Sequence, residues 1–283
     1  MKIALEELES LGVDYILAAG DIVGYGGAPN ECISLLRKYK VQSVLGNHDF
    51  LYMLEMKQKN LETDWPIVEE LEKTVEMMNY RPIAREMIDW QLKRLTAQNR
   101  HWVGSLPITF TTKDKQVAMI HGAPPLSMRN NSKIEFHDYS YSLGKYLFPW
   151  KAQELSIACS LQPTPILVIG HSHMQFAHQA NSFNEPAIKM SHPCIMKYED
   201  FPVITEFPHK APLLINPGSI AQSRDEILAP GFATFTRKGK RKKIVSWYRY
   251  RYSYEEYEEY LKKNKAPENV IDRNFWKINH HLE

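Results

Sequence analysis

The sequence has few of the features that mark disulfide-rich, membrane-spanning or polyanion-binding proteins. Its three cysteines, Cys32, Cys159 and Cys194, are widely spaced and form no Cys-x-x-Cys pair. This argues against a disulfide scaffold and a thiolate zinc site and favours a reducing compartment, so we expect a cytoplasmic protein. No apolar run approaches the length of a membrane span. Lysine and arginine (35) nearly balance aspartate and glutamate (33), so no strong net field attracts polyanions. The 283 residues suffice to bury a substantial core.

Four segments present glycine and polar side chains directly after a short apolar run. The apolar run predicts a buried strand, and the residues that follow predict a loop beyond its carboxyl end. In open α/β sheets, ligands bind at that edge of the sheet. The segments are residues 15–21, 41–49, 117–122 and 165–173.

The remaining pattern predicts an α/β protein in which mixed sheets lie between helices. Residues 50–100 have mostly helical periodicity, and we interpret them as a helical insertion because ligand-bearing strands resume afterwards. We therefore predict a single domain over residues 1–283. Residues 174–210 contain four prolines and no clear period, so we predict a long loop that could act as a lid or a partner surface. Near the C-terminus, alternation from Tyr248 to Tyr254 predicts one strand face carrying four tyrosines.

The polar residues at the predicted strand ends form a metal-ligand set without thiolates. A carboxylate, an amide oxygen and imidazoles suit Mn²⁺, Fe²⁺, Zn²⁺ or Ni²⁺. An aspartate can bridge two cations, and two cations can hold a phosphate ester, lower the pKa of a shared water and stabilise the transition state. The predicted ligands are Asp21, Asn47, His121, His171 and His173.

His48 and Asp49 are the predicted catalytic residues. His48 is not needed as a ligand and could donate a proton to the leaving oxygen, while Asp49 holds its ring. Arg224 could contact a substrate phosphate, although an ordinary surface arginine is an equal alternative. The other histidines, including His178, have no predicted role, and most are expected to face solvent.

These motifs, in this order, resemble those of the calcineurin-like metallophosphoesterases. The matching residues are Gly-Asp at 20–21, Gly-Asn-His-Asp at 46–49, His-Gly at 121–122 and Gly-His-Ser-His at 170–173. Asn-Pro-Gly-Ser at 216–219 is similar to a segment of the small bacterial and archaeal phosphodiesterase branch. The resemblance implies a sandwich of two mixed β-sheets flanked by helices.

The resemblance also implies a role for each matching residue. Asp21 would bridge two divalent metal ions, with Mn²⁺ favoured. Asn47, His121 and His171 would complete one metal site, and His173 would serve the other. His48 would be the general acid. The implied substrate is a phosphorylated small molecule or a nucleotide.

One motif of that family has no counterpart in this sequence. The family carries an Asp-x-His at the end of its first strand, whereas Met1 falls inside the helix that should come after it. We expect a late-assigned start or a truncated chain, because loss of a central strand would expose an unpaired edge. If the motif is truly lost, we expect at most one tightly held metal and little turnover.

Two functions therefore remain open. The predicted one is a metal-dependent phosphoesterase acting on phosphate mono- or diesters. The alternative is a non-catalytic phosphate- or nucleotide-binding regulatory protein that retains one metal site. A basic run at residues 237–243 suggests nucleic acid, but a solvated hairpin tip is the default for such a run, so nucleic acid is a minor alternative.

Overall fold

Helices and strands alternate along the first part of the chain. The computed structural model describes residues 1–61, 82–130, 136–180, 187, 189–208, 211–226, 229–238 and 242–272. Its α-helices are α1 Lys2–Ser10, α2 Pro29–Lys38, α3 Asn47–Gln58, α4 Pro82–Leu92, α5 Ala97–Gly104, α6 Phe136–Gly144, α7 Ala152–Leu161 and α8 Tyr254–Lys263. Its strands are β1 Leu17–Ala18, β2 Gln42–Ser43, β3 Thr109–Thr111, β4 Val117–Ile120, β5 Ile166–Val168, β6 Gln175–Gln179, β7 Lys189–Ser191, β8 Val203–Pro208, β9 Leu213–Pro217, β10 Gly231–Lys238 and β11 Lys242–Arg249.

The strands within the described ranges form three sheets. The largest has six strands in the order β3-β4-β5-β9-β6-β7. Strands β4, β5 and β9 are parallel to one another, whereas β3, β6 and β7 pair antiparallel with their neighbours. Strands β1 and β2 form a short parallel pair, and β10, β11 and β8 form an antiparallel sheet. This is the predicted α/β architecture of mixed sheets flanked by helices.

One apolar core cluster lies between the six-stranded sheet and the antiparallel sheet. Alternate side chains of β4, β5 and β9 meet Val245 and Trp247, which project from β11. The opposite face of the six-stranded sheet packs against α7 through Leu155 and Ala158. Because both faces are buried, β4 and β5 consist of uninterrupted apolar residues, which is why their positions are readable from the sequence.

The predicted helical region at 50–100 corresponds to α3, α4 and α5, with residues 62–81 outside the described residues. Helix α3 begins at Asn47, and residues 49–56 are buried on every side. The apolar residues among them form one core cluster with side chains of α4, α5 and Ile33 of α2. A helix that is buried on every side is stable only inside a core, so His48, in the first turn of α3 and not on the predicted loop, is fixed to a buried element.

The predicted long loop at 174–210 is wrong, because this segment contributes strands β6, β7 and β8. Strand β6 has the sequence Gln-Phe-Ala-His-Gln and is buried throughout. The side chains of Gln175 and Gln179 donate hydrogen bonds to backbone carbonyls of distant segments. His178 is also fully buried, with Nε2 3.0 Å from Ser156 Oγ, and does not face solvent. Buried polar residues hide the apolar alternation that would have predicted a strand.

The predicted face of four tyrosines is also wrong beyond Tyr248. Strand β11 ends at Arg249, and Tyr254 is the first residue of α8. The expected solvation of the basic run fails at Lys243, whose Nζ is buried and donates to two backbone carbonyls. None of the described helices combines the length and the apolar character that crossing a bilayer requires.

Candidate metal centre

Four predicted ligands lie at one edge of the sheets, where parallel strands end. Strands β1, β2, β4 and β5 are each followed within a few residues by Asp21, Asn47, His121 and His171. The Gly170 N–H donates to the His121 carbonyl at 2.7 Å, which joins the loops after β4 and β5. Residues far apart in the sequence are thus brought together, as expected for the carboxyl ends of parallel strands. We call these four residues the metal cluster.

The ligand atoms of the metal cluster converge on one point. His121 Nε2 lies 3.0 Å from Asn47 Oδ1, 3.1 Å from His171 Nδ1 and 3.4 Å from Asp21 Oδ2. One ligand atom each from Asp21, His121 and His171 lies within 4.8 Å of the others, and both histidines are buried. Atoms at these separations can share one cation.

Backbone carbonyls determine which nitrogen of each imidazole carries the proton. His121 Nδ1 lies 2.6 Å from the Ala19 carbonyl, and His171 Nε2 lies 3.3 Å from the Gly144 carbonyl. Because a carbonyl only accepts, these two nitrogens donate, and when both rings are neutral the opposite nitrogens present lone pairs. Those lone pairs face each other and the Asp21 carboxylate with no proton between them. Such an arrangement is unfavourable until a cation lies among the acceptors, so the residues fit a divalent metal.

The shifted pKa values of His171, His173 and Asp21 favour the protonation states that bind cations. Burial, and then the neighbouring His121, lowers the pKa of His171 well below its ordinary value. Burial, and then the charge of Arg224, lowers the pKa of His173 to about 3. Burial alone would raise the pKa of Asp21, but the surrounding histidines outweigh it, and the net direction is downwards. Neutral imidazoles and an ionised carboxylate are the ligating forms.

His173 lies beside the metal cluster and is not among the residues whose ligand atoms converge. Its Nδ1 donates to the Gln222 carbonyl at 2.8 Å, so Nε2 is the nitrogen that could bind a cation. Electrostatic interactions with Asp21 and His48 place it at the same edge. The structure therefore brings four of the five predicted ligands together and leaves the fifth adjacent to them.

Arg224 approaches the same edge from the loop after β9. Its backbone N–H donates to the His173 carbonyl at 3.1 Å, and its guanidinium lies 5.6 Å from the ring centre of Tyr146. Its charge lowers the pKa of both His48 and His173 after the larger effect of burial. Arg224 is thus a half-buried residue of the site and not a free surface arginine.

The loop that carries Arg224 is fixed by a buried ion pair. Asp225 pairs with Arg249 of β11, and both side chains are fully buried. Asp225 also accepts the backbone N–H of Gln175 at the start of β6, at 3.0 Å. Because these contacts reach two different sheets, the position of Arg224 depends on how the sheets pack.

Asp49 has contacts that the sequence did not predict. Its two carboxylate oxygens accept the backbone N–H groups of Val23 and Gly46, each at 2.9 Å, and its side chain is fully buried. Burial, and then the charge of Asp21, raises its pKa. These bonds connect the loop after β1 with the loop after β2. The proposed action of Asp49 on the His48 ring stays a prediction.

One aromatic residue of the site was missed by the sequence reasoning. Tyr146 stacks on the His171 ring with centroids 3.7 Å apart and an angle of 20° between the ring planes. The available signal was the alternation of aromatic residues at positions 146, 148 and 150, which predicts that their rings share one face of an extended segment.

Comparisons with known proteins agree with this geometry. Residues 1–240 match the calcineurin-like phosphoesterase superfamily domain. The uncharacterized protein MJ0912 of Methanocaldococcus jannaschii is 27% identical over 278 residues, which cover 97% of this chain and 91% of that protein.

Two solved structures have the same fold. A metallophosphoesterase from Sphaerobacter thermophilus has a TM-score of 0.65 and 22% identity, covering 96% of this chain and 93% of that one. The hypothetical protein PH1004 from Pyrococcus horikoshii OT3 has a TM-score of 0.56 and 17% identity, covering 95% and 88%. Since the family model spans most of the sequence, the chain belongs to the calcineurin-like phosphoesterase superfamily.

Proposed function

We propose that this protein is a metal-dependent phosphoesterase that hydrolyses phosphate mono- or diesters. The observation that carries the proposal is the convergence of ligand atoms from Asp21, His121 and His171, with Asn47 Oδ1 beside them. Membership of the calcineurin-like superfamily supports it. Bound divalent cations, with Mn²⁺ favoured over Fe, Zn or Ni, would hold the phosphate oxygens and lower the pKa of a coordinated water.

In this proposal Asp21 has two tasks. Its Oδ2 faces the metal cluster, while its Oδ1 accepts the backbone N–H of His48 at 2.9 Å. One carboxylate thus contributes to the metal cluster and also fixes the start of α3. Together with His173, Asp21 would serve a second cation.

His48 is the proposed proton donor to the leaving oxygen. Its ring lies against Tyr25, with centroids 4.9 Å apart, and a Cβ at Gly24 would lie only 3.1 Å from it. The ring is therefore confined to one position beside the metal cluster, as general acid catalysis requires. Arg224 would bind a phosphate oxygen and balance its charge.

The chemistry of the site indicates the proposed substrate class, and the cysteine content indicates the proposed location. A site of cations and one arginine suits a phosphorylated small molecule or nucleotide. The sparse cysteines, which form no Cys-x-x-Cys pair, support a cytoplasmic location.

Hydrolysis of bis(p-nitrophenyl) phosphate with Mn²⁺ tests the proposal, measured on the full-length form with any Asp-x-His motif encoded upstream of Met1 included. We expect His48→Ala to lower kcat by about 10²- to 10⁴-fold while bound metal is unchanged, because His48 acts on the proton and not on the cation. Asp21→Ala should lose both activity and metal. His101→Ala is the matched control, since His101 is exposed on α5 and should change neither quantity.

Two results would contradict the assignment. Metal binding without hydrolysis of any phosphate mono- or diester would reject the enzyme and favour the phosphate- or nucleotide-binding regulator. Equal metal loss in His48→Ala and Asp21→Ala would mean that His48 is a ligand and not the acid.

A further inference from the structure

A row of stacked aromatic rings leads away from the metal cluster. Tyr146 stacks on His171 at 3.7 Å between ring centroids, Phe148 stacks on Tyr146 at 5.6 Å, and Trp150 stacks on Phe148 at 4.9 Å. The ring planes are within 20° of parallel at each step. We call Tyr146, Phe148 and Trp150 the aromatic row. It begins at a metal-cluster histidine and ends in a ring that is 63% exposed.

The backbone fixes the direction of the aromatic row. The rings occupy alternate positions of the segment between α6 and α7, and the intervening Leu147 and Pro149 are buried. Two backbone hydrogen bonds hold the segment: Ala123 N–H donates to the Lys145 carbonyl, and Lys151 N–H donates to the Phe148 carbonyl. Alternation in an anchored segment therefore places the three rings on the side opposite Leu147 and Pro149, where Phe148 also packs against core residues and Trp150 is exposed.

Core packing does not account for the outer end of the row. A Trp150 side chain that is 63% exposed buries little apolar area, whereas tryptophan is highly buried on average. At the inner end, the Arg224 guanidinium lies 5.6 Å from the Tyr146 ring centre, beside His171. The feature therefore has positive charge and cation ligands at one end and an exposed aromatic face at the other. A nucleotide has the complementary polarity, with anionic phosphate at one end and a flat base at the other.

We infer that the aromatic row binds the base of a nucleoside phosphoester whose phosphate lies at the metal cluster and Arg224. For the phosphate end, this inference rests on the proposed function. Two rings lie between His171 and Trp150, so a base joined to the reacting phosphate through a chain of phosphates matches the row better than a monophosphate does. Aromatic stacking is tolerant of base identity, so the row selects for a nucleoside and not for one base.

Titration calorimetry on the Mn²⁺-loaded protein tests the inference with ATP and inorganic tripolyphosphate, both added as Mn²⁺ complexes. The two ligands share the phosphate chain and differ in the nucleoside. We expect ATP to bind about 5- to 100-fold more tightly, the range of one base–aromatic stack. Trp150→Ala should remove that preference and leave the tripolyphosphate affinity unchanged, whereas Trp150→Phe should keep most of it.

Tyr15→Ala is the matched control variant. Tyr15 is 66% exposed and precedes β1, at the end of the strand opposite Asp21. Its removal should alter neither affinity. If Tyr15→Ala and Trp150→Ala have equal effects, the loss is not specific to the aromatic row and the inference is rejected.

Three further results would overturn the inference: equal affinities for ATP and tripolyphosphate in the unmutated protein, an equal loss of both in Trp150→Ala, or tighter binding of a single-stranded oligonucleotide than of ATP. The last would assign the row to nucleic acid. Hydrolysis of bis(p-nitrophenyl) phosphate without an ATP preference rejects only the role of the row. An ATP preference without hydrolysis of any ester rejects only the enzyme.

Discussion

Gly20→Ala tests how closely the loops of the metal cluster must pack. Gly20 has a φ of +88°, and a Cβ at this position would lie 2.7 Å from Gly46 Cα and 2.7 Å from His121 Nδ1. A left-handed backbone costs an L residue about 1–2 kcal/mol, and overpacking a buried site costs about 1–3 kcal/mol. We therefore expect the unfolding free energy to fall by about 2–5 kcal/mol. Mn²⁺ affinity should also fall, because His121 must move away from the Ala19 carbonyl that orients it.

Gly26→Ala provides the same chemical change in the same loop without the clash. No atom lies within 4 Å of a Cβ at Gly26, and its φ is not in the left-handed region. At such a site alanine is expected to be neutral or to stabilise by about 0.4–1 kcal/mol, because it restricts the unfolded chain. Urea denaturation gives the stabilities, and mass-spectrometric metal analysis after gel filtration gives the Mn²⁺ content. Equal stabilities of the two variants, or full Mn²⁺ content in Gly20→Ala, would refute the packing argument.

Two further predictions concern buried ionisable groups away from the metal cluster. Burial, and then His192, lowers the pKa of His178 to about 4. In the unfolded chain His178 therefore binds a proton near pH 6.5, whereas in the folded chain it does so only near pH 4. The free energy of unfolding consequently falls as the pH drops from 6.5 to about 4. In denaturation curves, His178→Gln should reduce this pH-dependent loss of unfolding free energy by about 2–3 kcal/mol, whereas His101→Gln, at an exposed position, should not change it. Arg249→Met should cost about 3–5 kcal/mol because it leaves Asp225 buried without its cation, and adding Asp225→Asn should recover part of the loss; no recovery would contradict the ion-pair account.

The residues of the metal cluster could be predicted from the sequence because each of them lies in a short local sequence pattern. Each ligand follows a short apolar run, and a run of that kind forms a buried strand wherever both of its faces are covered. Parallel strands then place their carboxyl ends at a common edge, which brings His121 and His171 together within the six-stranded sheet. Asp21 follows β1 of the separate two-stranded sheet, so its approach to them depends on how the two sheets pack. The tautomers of the two histidines were not predictable, since they depend on carbonyls contributed by other segments.

Strand β6 shows why the prediction failed elsewhere. Gln175 Nε2 donates to the carbonyls of Pro217, Phe232 and Tyr248, which lie 42 to 73 positions further along the chain. Only these distant carbonyls make it possible to bury the amide, so neither the strand nor its burial is visible in a local window. Lys243 follows the same rule: the sequence places it in a basic run, whereas the Pro165 and Ala211 carbonyls hold its ammonium group inside the fold.

Three residues at the metal centre have left-handed backbone conformations that contacts within the protein hold. Asp21, His171 and His173 have φ values of 55°, 63° and 60°, a left-handed region that costs non-glycine residues about 1–2 kcal/mol each. The intrinsic backbone preferences of all three residues favour a negative φ, so tertiary contacts must hold the left-handed conformation. Asp21 Oδ1 accepts the His48 N–H, and each of the two histidine rings donates to a backbone carbonyl. Because these contacts involve only protein atoms, the fold itself maintains the strain. These contacts therefore fix the Asp21 carboxylate and the two imidazoles in position, which is what a site assembled from separate strand ends requires of its ligands.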